Sequence, residues 1–327
     1  MRGEIGGVER VARQMAMHLP RLHEDRYRVI APRPALAHRR GQVWEQLALP
    51  ALARGSQVVL SPANLAPVAC RRNIVMIHDV APFLGDWYGS LYGGWHRALL
   101  PRVARGARRL VAPSEVVRAQ LIDVLGAAGE RTRVVPLGVD PAFSAAADPA
   151  RAARRHGLYG PYVLAVGTDL PRKNLVLLDR VAAPLAREGL EIVLAGSGRS
   201  YMPRSSYSAR TLGYVTESDL PGLYAGAAAF AMPSLYEGFG LPCLEAMACG
   251  TPVVAADRGA LPETCADAAL LADPTDPVQF AEALLQAAGA GDARDRLVRA
   301  GAARAAHFTW ERTARGVDAV VGELLSS

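Results

Sequence analysis

The chain of 327 residues is predicted to form two successive doubly wound α/β domains. Its length exceeds what one compact core usually holds and suits two domains of roughly 150 residues each. Short β-branched runs alternate with amphipathic helical segments along the whole chain, the pattern of parallel sheets covered by helices. Midway, Pro136-Leu-Gly-Val-Asp-Pro141 and the Ala-rich stretch to residue 150 carry turn chemistry without periodicity and mark a linker at 137–150.

In chain order, Val8, Val11, Ala12, Met15, Ala16 and Leu19 put one apolar stripe on a first helix. Buried parallel strands follow at Arg28–Ala31, Val58–Leu60, Ile74–Ile77, Leu110–Ala112 and Arg133–Val135. The second half repeats the rhythm at Tyr162–Val166, Glu191–Leu194, Ala228–Met232 and Val253–Ala255, with a short strand before Gly213. A last helix spans Trp310 to Leu325, with Thr309 as its cap and Glu311 in its first turn. The expected division is 1–140, 141–308 and a helical segment 309–327. A glycine turn such as Gly6-Gly7 ordinarily follows a buried strand, and residues 1–5 with Arg2 and Glu4 make a poor one. The expectation is therefore that the natural protein begins upstream of Met1 and that the first strand is missing or truncated here.

Half of the residues are apolar and 21% are charged, a balance that excludes a disordered chain. Four cysteines without a C-x-x-C pair argue against a disulfide framework or a zinc site, and they fit a reducing, cytoplasmic compartment. No leader-like N-terminus and no uninterrupted apolar span is present. Residues 1–141 hold 20 Arg against 11 Asp and Glu, an excess of +9, whereas 142–327 hold 17 Arg and Lys against 20 acids, or −3. Such asymmetry fits a solvated Arg-rich face, nucleic acid or an anionic membrane surface.

The richest segment runs from Pro233 through Glu237-Gly-Phe-Gly240-Leu-Pro242-Cys-Leu-Glu245 to Gly250-Thr-Pro252. A strand, a glycine-flexed loop and a helix opened by Pro242 place the amides of Gly238, Phe239, Gly240 and Leu241 where doubly wound sheets bind phosphorylated ligands. Two carboxylates beside such a site suit hydroxyl groups better than phosphate. A second block, Gly167-Thr-Asp-Leu-Pro-Arg172-Lys173-Asn174, sets a basic pair after a strand, at the expected start of a helix. Lys173 is the lone lysine among 37 basic residues, which favours a site that needs a compact, rotatable ammonium. Ile74-Val-Met-Ile-His78-Asp79 ends a strand with two titratable groups.

Glu237-x7-Glu245 around Gly-Phe-Gly resembles the paired-glutamate motif of glycosyltransferase family 4, retaining enzymes of GT-B fold. Further matches at Trp44-Glu45-Gln46, Pro113-Ser114-Glu115, Val135 to Asp140 and Phe308-Thr-Trp310 extend the resemblance over most of the chain. It implies two Rossmann-like domains facing a central cleft, an acceptor-side domain first and a nucleotide-sugar domain second, and a C-terminal helix crossing back onto the first. Glu245 would hold the donor ribose, while Glu237 with the amides of Phe239, Gly240 and Leu241 would hold the transferred sugar. Lys173 and Arg172 would hold the diphosphate, Gly6 and Gly7 would lie near the phosphates, and Tyr214 and Val215 would abut the nucleobase. His78 would touch the donor sugar, and Asp79 would orient or deprotonate the acceptor.

Many relatives carry Arg directly after the glycine where Thr168 stands, which leaves the share of Arg172 open. The absence of D-x-D agrees with protein cations in place of a bound metal. The mannosyltransferase-like subgroup of bacterial polysaccharide assembly is the nearest in pattern. GDP-mannose is the first donor to expect, with no cofactor and no nucleic acid. The acceptor would be a glycan, a lipid-linked molecule or a small molecule, with peripheral contact to an anionic inner membrane face. A GT-B-like nucleotide-sugar epimerase, or a nucleotide-sugar-binding protein without turnover, would share these residues.

Overall fold

A computed structural model describes residues 6–32, 41–70, 72–196 and 208–326, with the backbone alone for Gln42, Ser90 and Leu91. The expectation about residues 1–5 lies outside the described residues. The chain divides into two compact α/β units, one of Ile5–Gly138 with Trp310–Ser327, the other centred on Val139–Thr309. Each contains a parallel sheet, and the fold is of the GT-B kind.

In the first unit, β1 (Val59–Ser61), β2 (Asn73–Met76), β3 (Arg109–Ala112) and β4 (Thr132–Val134) pair in parallel in chain order. β2 is buried along its whole length, and its core neighbours include Val75, Ile77, Leu100, Leu110 and Leu121. The helix Glu115–Leu125 starts where Ser114 Oγ accepts from the Val117 amide at 3.2 Å and ends at Gly126 in the left-handed region. Arg28–Ala31, expected as a strand, is not one. Arg28, Val29 and Ala31 are exposed, and no strand of the described sheet pairs with them. An apolar run without a pairing partner gains no ladder.

The first helix, Gly7–Leu22, packs against the last, Trp310–Leu325. They bury Val11, Met15 and Leu19 on one side and Trp310, Val317 and Val321 on the other. Gly316 permits the last helix to approach β4, since a Cβ there would lie 2.7 Å from Val135 Cγ1. Asp318 adds a polar seam, accepting from Arg26 at 2.9 Å and from Tyr27. Such partly exposed ion pairs are worth about 0–1 kcal/mol, so the apolar stripe carries the contact.

The second unit holds β5 (Tyr162–Val166), β6 (Glu191–Ala195), β7 (Arg210–Gly213), β8 (Ala229–Met232), β9 (Val253–Ala256) and β10 (Ala269–Ala272). Their order, β7-β6-β5-β8-β9-β10, reverses direction between β5 and β8. That reversal opens a crevice at the carboxyl ends of the two strands, the place where doubly wound sheets bind ligands. Leu178, Val181 and Leu185 of the helix Val176–Arg187 share a core with Phe280 and Leu284 of the helix Pro277–Ala288.

Candidate functional site

The loops that leave β5 and β8 carry the strongest candidates. After β5 the chain makes a single 3-10 turn, Pro171–Lys173, and Asn174 follows with φ 50. The basic pair was expected at the start of a helix, but the helix begins only at Val176. Pro171 favours the tight turn, and a left-handed Asn174 cannot continue it into a helix.

Lys173 Nζ donates to Glu237 Oε1 at 2.6 Å, and Arg172 Nη1 lies 3.3 Å from the same oxygen. Arg172 also donates to the Tyr236 carbonyl at 3.1 Å, and its own carbonyl accepts from the Leu235 amide at 2.8 Å. Asn174 ties the arrangement together, because its Nδ2 donates to the carbonyls of Pro233, at 3.2 Å, and Pro274, at 2.9 Å. The loops after β5, β8 and β10 are thus fastened by one side chain. Nothing in the sequence marked Asn174 for this role except its place after the basic pair.

Burial works to raise the Glu237 carboxyl. The charges of Lys173 and Arg172 and the hydrogen bond from Lys173 outweigh it and hold the group at about 2. For Lys173, burial is the largest influence and lowers the ammonium, while Glu237 pulls it back up and Arg172 opposes. Glu237 is therefore ionised at neutral pH, with two cations converging on one of its oxygens.

Beyond Glu237 the chain passes Gly238, Phe239 and Gly240 into the helix Leu241–Ala248. The amides of Phe239, Gly240 and Leu241 stand at its N-terminus, a favourable end for negative charge. The Phe239 ring meets Phe308 edge-on at 5.8 Å between centroids, and the Arg304 guanidinium lies 4.9 Å over Phe308. Gly259, with φ 58, backs the loop from the other side. A Cβ there would lie 2.6 Å from the Glu237 carbonyl, which accepts from the Ala260 amide at 3.0 Å. Gly259 escaped the sequence reading because its partner is distant along the chain. Glu245 is buried in the second turn, and Oε2 accepts from the Tyr224 hydroxyl at 3.1 Å.

The other sequence candidates are carried by other elements. Tyr214 and Val215 follow β7, two strands out from β5, with Tyr214 exposed and Val215 buried. Gly6, Gly7, His78 and Asp79 belong to the first unit. The Gly6 amide donates to the Glu9 carboxylate, so Glu9 already caps the first helix where a phosphate was expected. His78 is buried after the end of β2, its Nε2 is 2.7 Å from the Pro62 carbonyl, and its amide donates to Asn64 Oδ1 at 2.6 Å. Asp79 Oδ1 accepts from the Ala81 amide at 3.0 Å. In the same unit, burial alone raises Glu45 to about 7, a carboxyl able to exchange protons near neutrality. Among the described residues no group of three or more His, Cys, Asp or Glu is placed to hold a metal ion, and no helix is long and apolar enough to cross a membrane.

Comparison with known proteins is consistent across both units. The family model described as Glycosyltransferase Family 4 matches residues 5–143, and that described as Glycosyl transferases group 1 matches residues 160–289. The chain is 38% identical over 169 residues to O-antigen chain mannosyltransferase B of Escherichia coli, covering 46% of this chain and 42% of that protein. It is 36% identical over 247 residues to the D-inositol 3-phosphate glycosyltransferase of Acidothermus cellulolyticus, covering 68% and 55% respectively. It thus spans about half the length of these curated relatives. Among solved structures, sucrose-phosphate synthase from Thermosynechococcus elongatus superposes with a TM-score of 0.76 at 21% identity, over 98% of this chain and 94% of that one.

Proposed function

Because this chain belongs to glycosyltransferase family 4, within the group 1 glycosyl transferases, we propose that it moves a sugar from a nucleotide diphosphate donor to an acceptor hydroxyl, with retention and without a metal. The observation that carries this reading is the convergence of Lys173 and Arg172 on Glu237 at the reversal of the six-stranded sheet. Two cations in a largely buried crevice suit a departing diphosphate, whose charge grows as the bond to the anomeric carbon breaks. On donor binding Lys173 and Arg172 turn to the phosphates, while Glu237 and the amides of Phe239, Gly240 and Leu241 hold the sugar. Glu237 is a binder in this account. The acceptor oxygen bonds to the anomeric carbon on the face that the diphosphate leaves, and Asp79 is the candidate to orient the acceptor or take its proton. Glu245 holds the ribose in place of its bond to Tyr224, Tyr214 and Val215 flank the base, and Gly6 and Gly7 approach the phosphates once Glu9 releases the amide.

The identity to an O-antigen mannosyltransferase supports mannose as the sugar, which makes GDP-mannose the first donor to test and UDP-sugars the next. Acceptor-dependent release of nucleoside diphosphate is the expected result. Interconversion of donor sugars without acceptor would place the protein among epimerases, and tight donor binding with neither transfer nor hydrolysis would make it a binding protein. Within the same assay, Glu245→Ala is expected to weaken the donor and the bare nucleoside diphosphate alike by about 10- to 100-fold, the usual worth of hydrogen bonds to a charged group. A loss confined to the sugar-bearing donor would exchange the roles of Glu245 and Glu237.

The +9 excess of residues 1–141 supports peripheral contact with an anionic membrane that carries a lipid-linked acceptor. Binding to anionic vesicles should weaken as salt rises, because the screening length contracts from about 10 Å at 0.1 M to 3 Å at 1 M. Equal binding to neutral vesicles would remove the membrane from the proposal.

A further inference from the structure

The loop between Glu237 and the helix Leu241–Ala248 reads Gly238-Phe239-Gly240, so Phe239 brings the one side chain among the three. Glycine leaves the main chain on either side of it wide rotational freedom, and Gly240 uses that freedom at φ 98. The direction of the amides of Phe239, Gly240 and Leu241 is therefore set by what backs the loop. Gly259 and Ala260 hold Glu237 through its main chain. Gly240 is walled by Leu261, whose Cδ2 would lie 2.6 Å from a Cβ at that position. The buried Phe239 ring is backed by Phe308, with 71° between the ring planes.

Phe308 is itself held on several sides. It closes the turn after the helix Asp292–Ala305, its amide donating to the Ala305 carbonyl at 2.9 Å and its carbonyl accepting from the Val139 amide at 3.0 Å. Thr309 then pairs with Val139 in a parallel bridge. The Arg304 guanidinium over the Phe308 ring is fixed in turn by the end of the helix Leu261–Cys265, where Nε donates to the Thr264 carbonyl at 2.9 Å and Nη2 to the Glu263 carbonyl at 2.8 Å. A cation over a ring face and an edge-on pair of rings are both directional contacts. Leu261 belongs to that same helix, so the wall behind Gly240 and the ring behind Phe239 are joined through Arg304.

We infer that Phe308 is a positioning residue for the donor: by fixing the Phe239 ring it aims the amides of Phe239 and Gly240 at the hydroxyl groups of the transferred sugar. The inference rests on the proposed place of those amides at the sugar. Two segments singled out in the sequence, Val135 to Asp140 and Phe308-Thr-Trp310, meet where Val139 binds the Phe308 carbonyl, and they bear on the loop through this one ring. The nucleoside diphosphate, assigned to Glu245, Lys173 and Arg172, lies outside its reach.

Phe308→Leu keeps apolar bulk and removes the aromatic ring, whereas Phe308→Tyr keeps it. Both are assayed with GDP-mannose, or with the UDP-sugar that turns over in its place, and calorimetry follows the matching bare diphosphate. Phe308→Leu should raise the donor KM by about 3- to 10-fold, the scale of one misaligned hydrogen bond. Affinity for the bare diphosphate should stay near wild type, and Phe308→Tyr should restore the donor KM. Phe239→Leu, which keeps the amide, should raise the donor KM similarly, and the double variant should be no worse than the larger single loss, because both changes remove one contact. Losses that multiply in the double variant would overturn the inference, as would equal weakening of donor and bare diphosphate in Phe308→Leu. An unchanged donor KM in Phe308→Leu, when Glu237→Gln raises it, would also overturn it and leave the sugar at this loop. If Glu237→Gln keeps the wild-type donor KM too, the placing of the sugar here fails as well.

Discussion

Replacing Lys173 with alanine is expected to reduce turnover by about 100- to 1000-fold, the usual cost of removing one preorganised contact to charge that develops in a transition state. The loss should fall on kcat more than on KM, since a departing diphosphate carries more charge at the leaving oxygen than the bound donor does. Breaking a buried ion pair by removing one partner costs about 3–5 kcal/mol when the other charge is stranded. Here Arg172, 3.3 Å from Glu237 Oε1, remains as a counter-charge, so the stability loss should be smaller than that and the unit should stay folded. Coupling Lys173→Ala to Glu237→Gln removes the carboxylate charge altogether. The double variant should regain stability and recover no turnover. Steady-state kinetics beside thermal melts decide the matter, and a Lys173→Ala turnover within twofold of wild type would exclude the lysine from the chemistry.

Gly196→Ala should be the most disruptive single methyl group in the second unit. Gly196 follows β6 with φ 148, and a Cβ there would lie 1.9 Å from the Gly167 carbonyl oxygen at the end of β5. Neither atom has room to yield, because the Gly167 amide donates to the Ala195 carbonyl at 3.0 Å and the Gly196 amide to the Gly213 carbonyl at 2.8 Å. Backbone strain and overpacking together predict a cost of about 2–6 kcal/mol, or a fall in melting temperature on the order of 10 °C. Donor affinity should fall too, since Gly167 opens the loop that carries Arg172 and Lys173. Gly160→Ala is the control. No atom lies within 4 Å of a Cβ at that position, and its melting temperature should match wild type. An equal shift in both variants would mean that the contact between the ends of β5 and β6 is not what limits stability.

Local sequence determined those parts of this protein whose causes are local. Runs such as Tyr162–Val166 and Val253–Ala256 are apolar over their whole length, as strands buried on both faces must be. The paired glutamates with their glycines and proline were legible because loop, helix start and ligand amides lie within a few consecutive residues. β10 was not legible: Ala-Leu-Leu-Ala carries no β-branched residue, and it is a strand because β9 offers it a parallel partner from Val253 to Ala256. Arg28–Ala31 shows the converse, having suitable residues but no partner among the described strands. The site follows the same division. Which residue types could hold a diphosphate sugar was written in the motifs. That Lys173 meets Glu237, 64 residues on, that Asn174 joins three loops, and that Asn64 grips His78 were decided by strand order and loop closure. Hydrogen-bond partners so distant along the chain leave no period in it, and the charge state of Glu237 depends on burial that exists only once the sheet has reversed between β5 and β8.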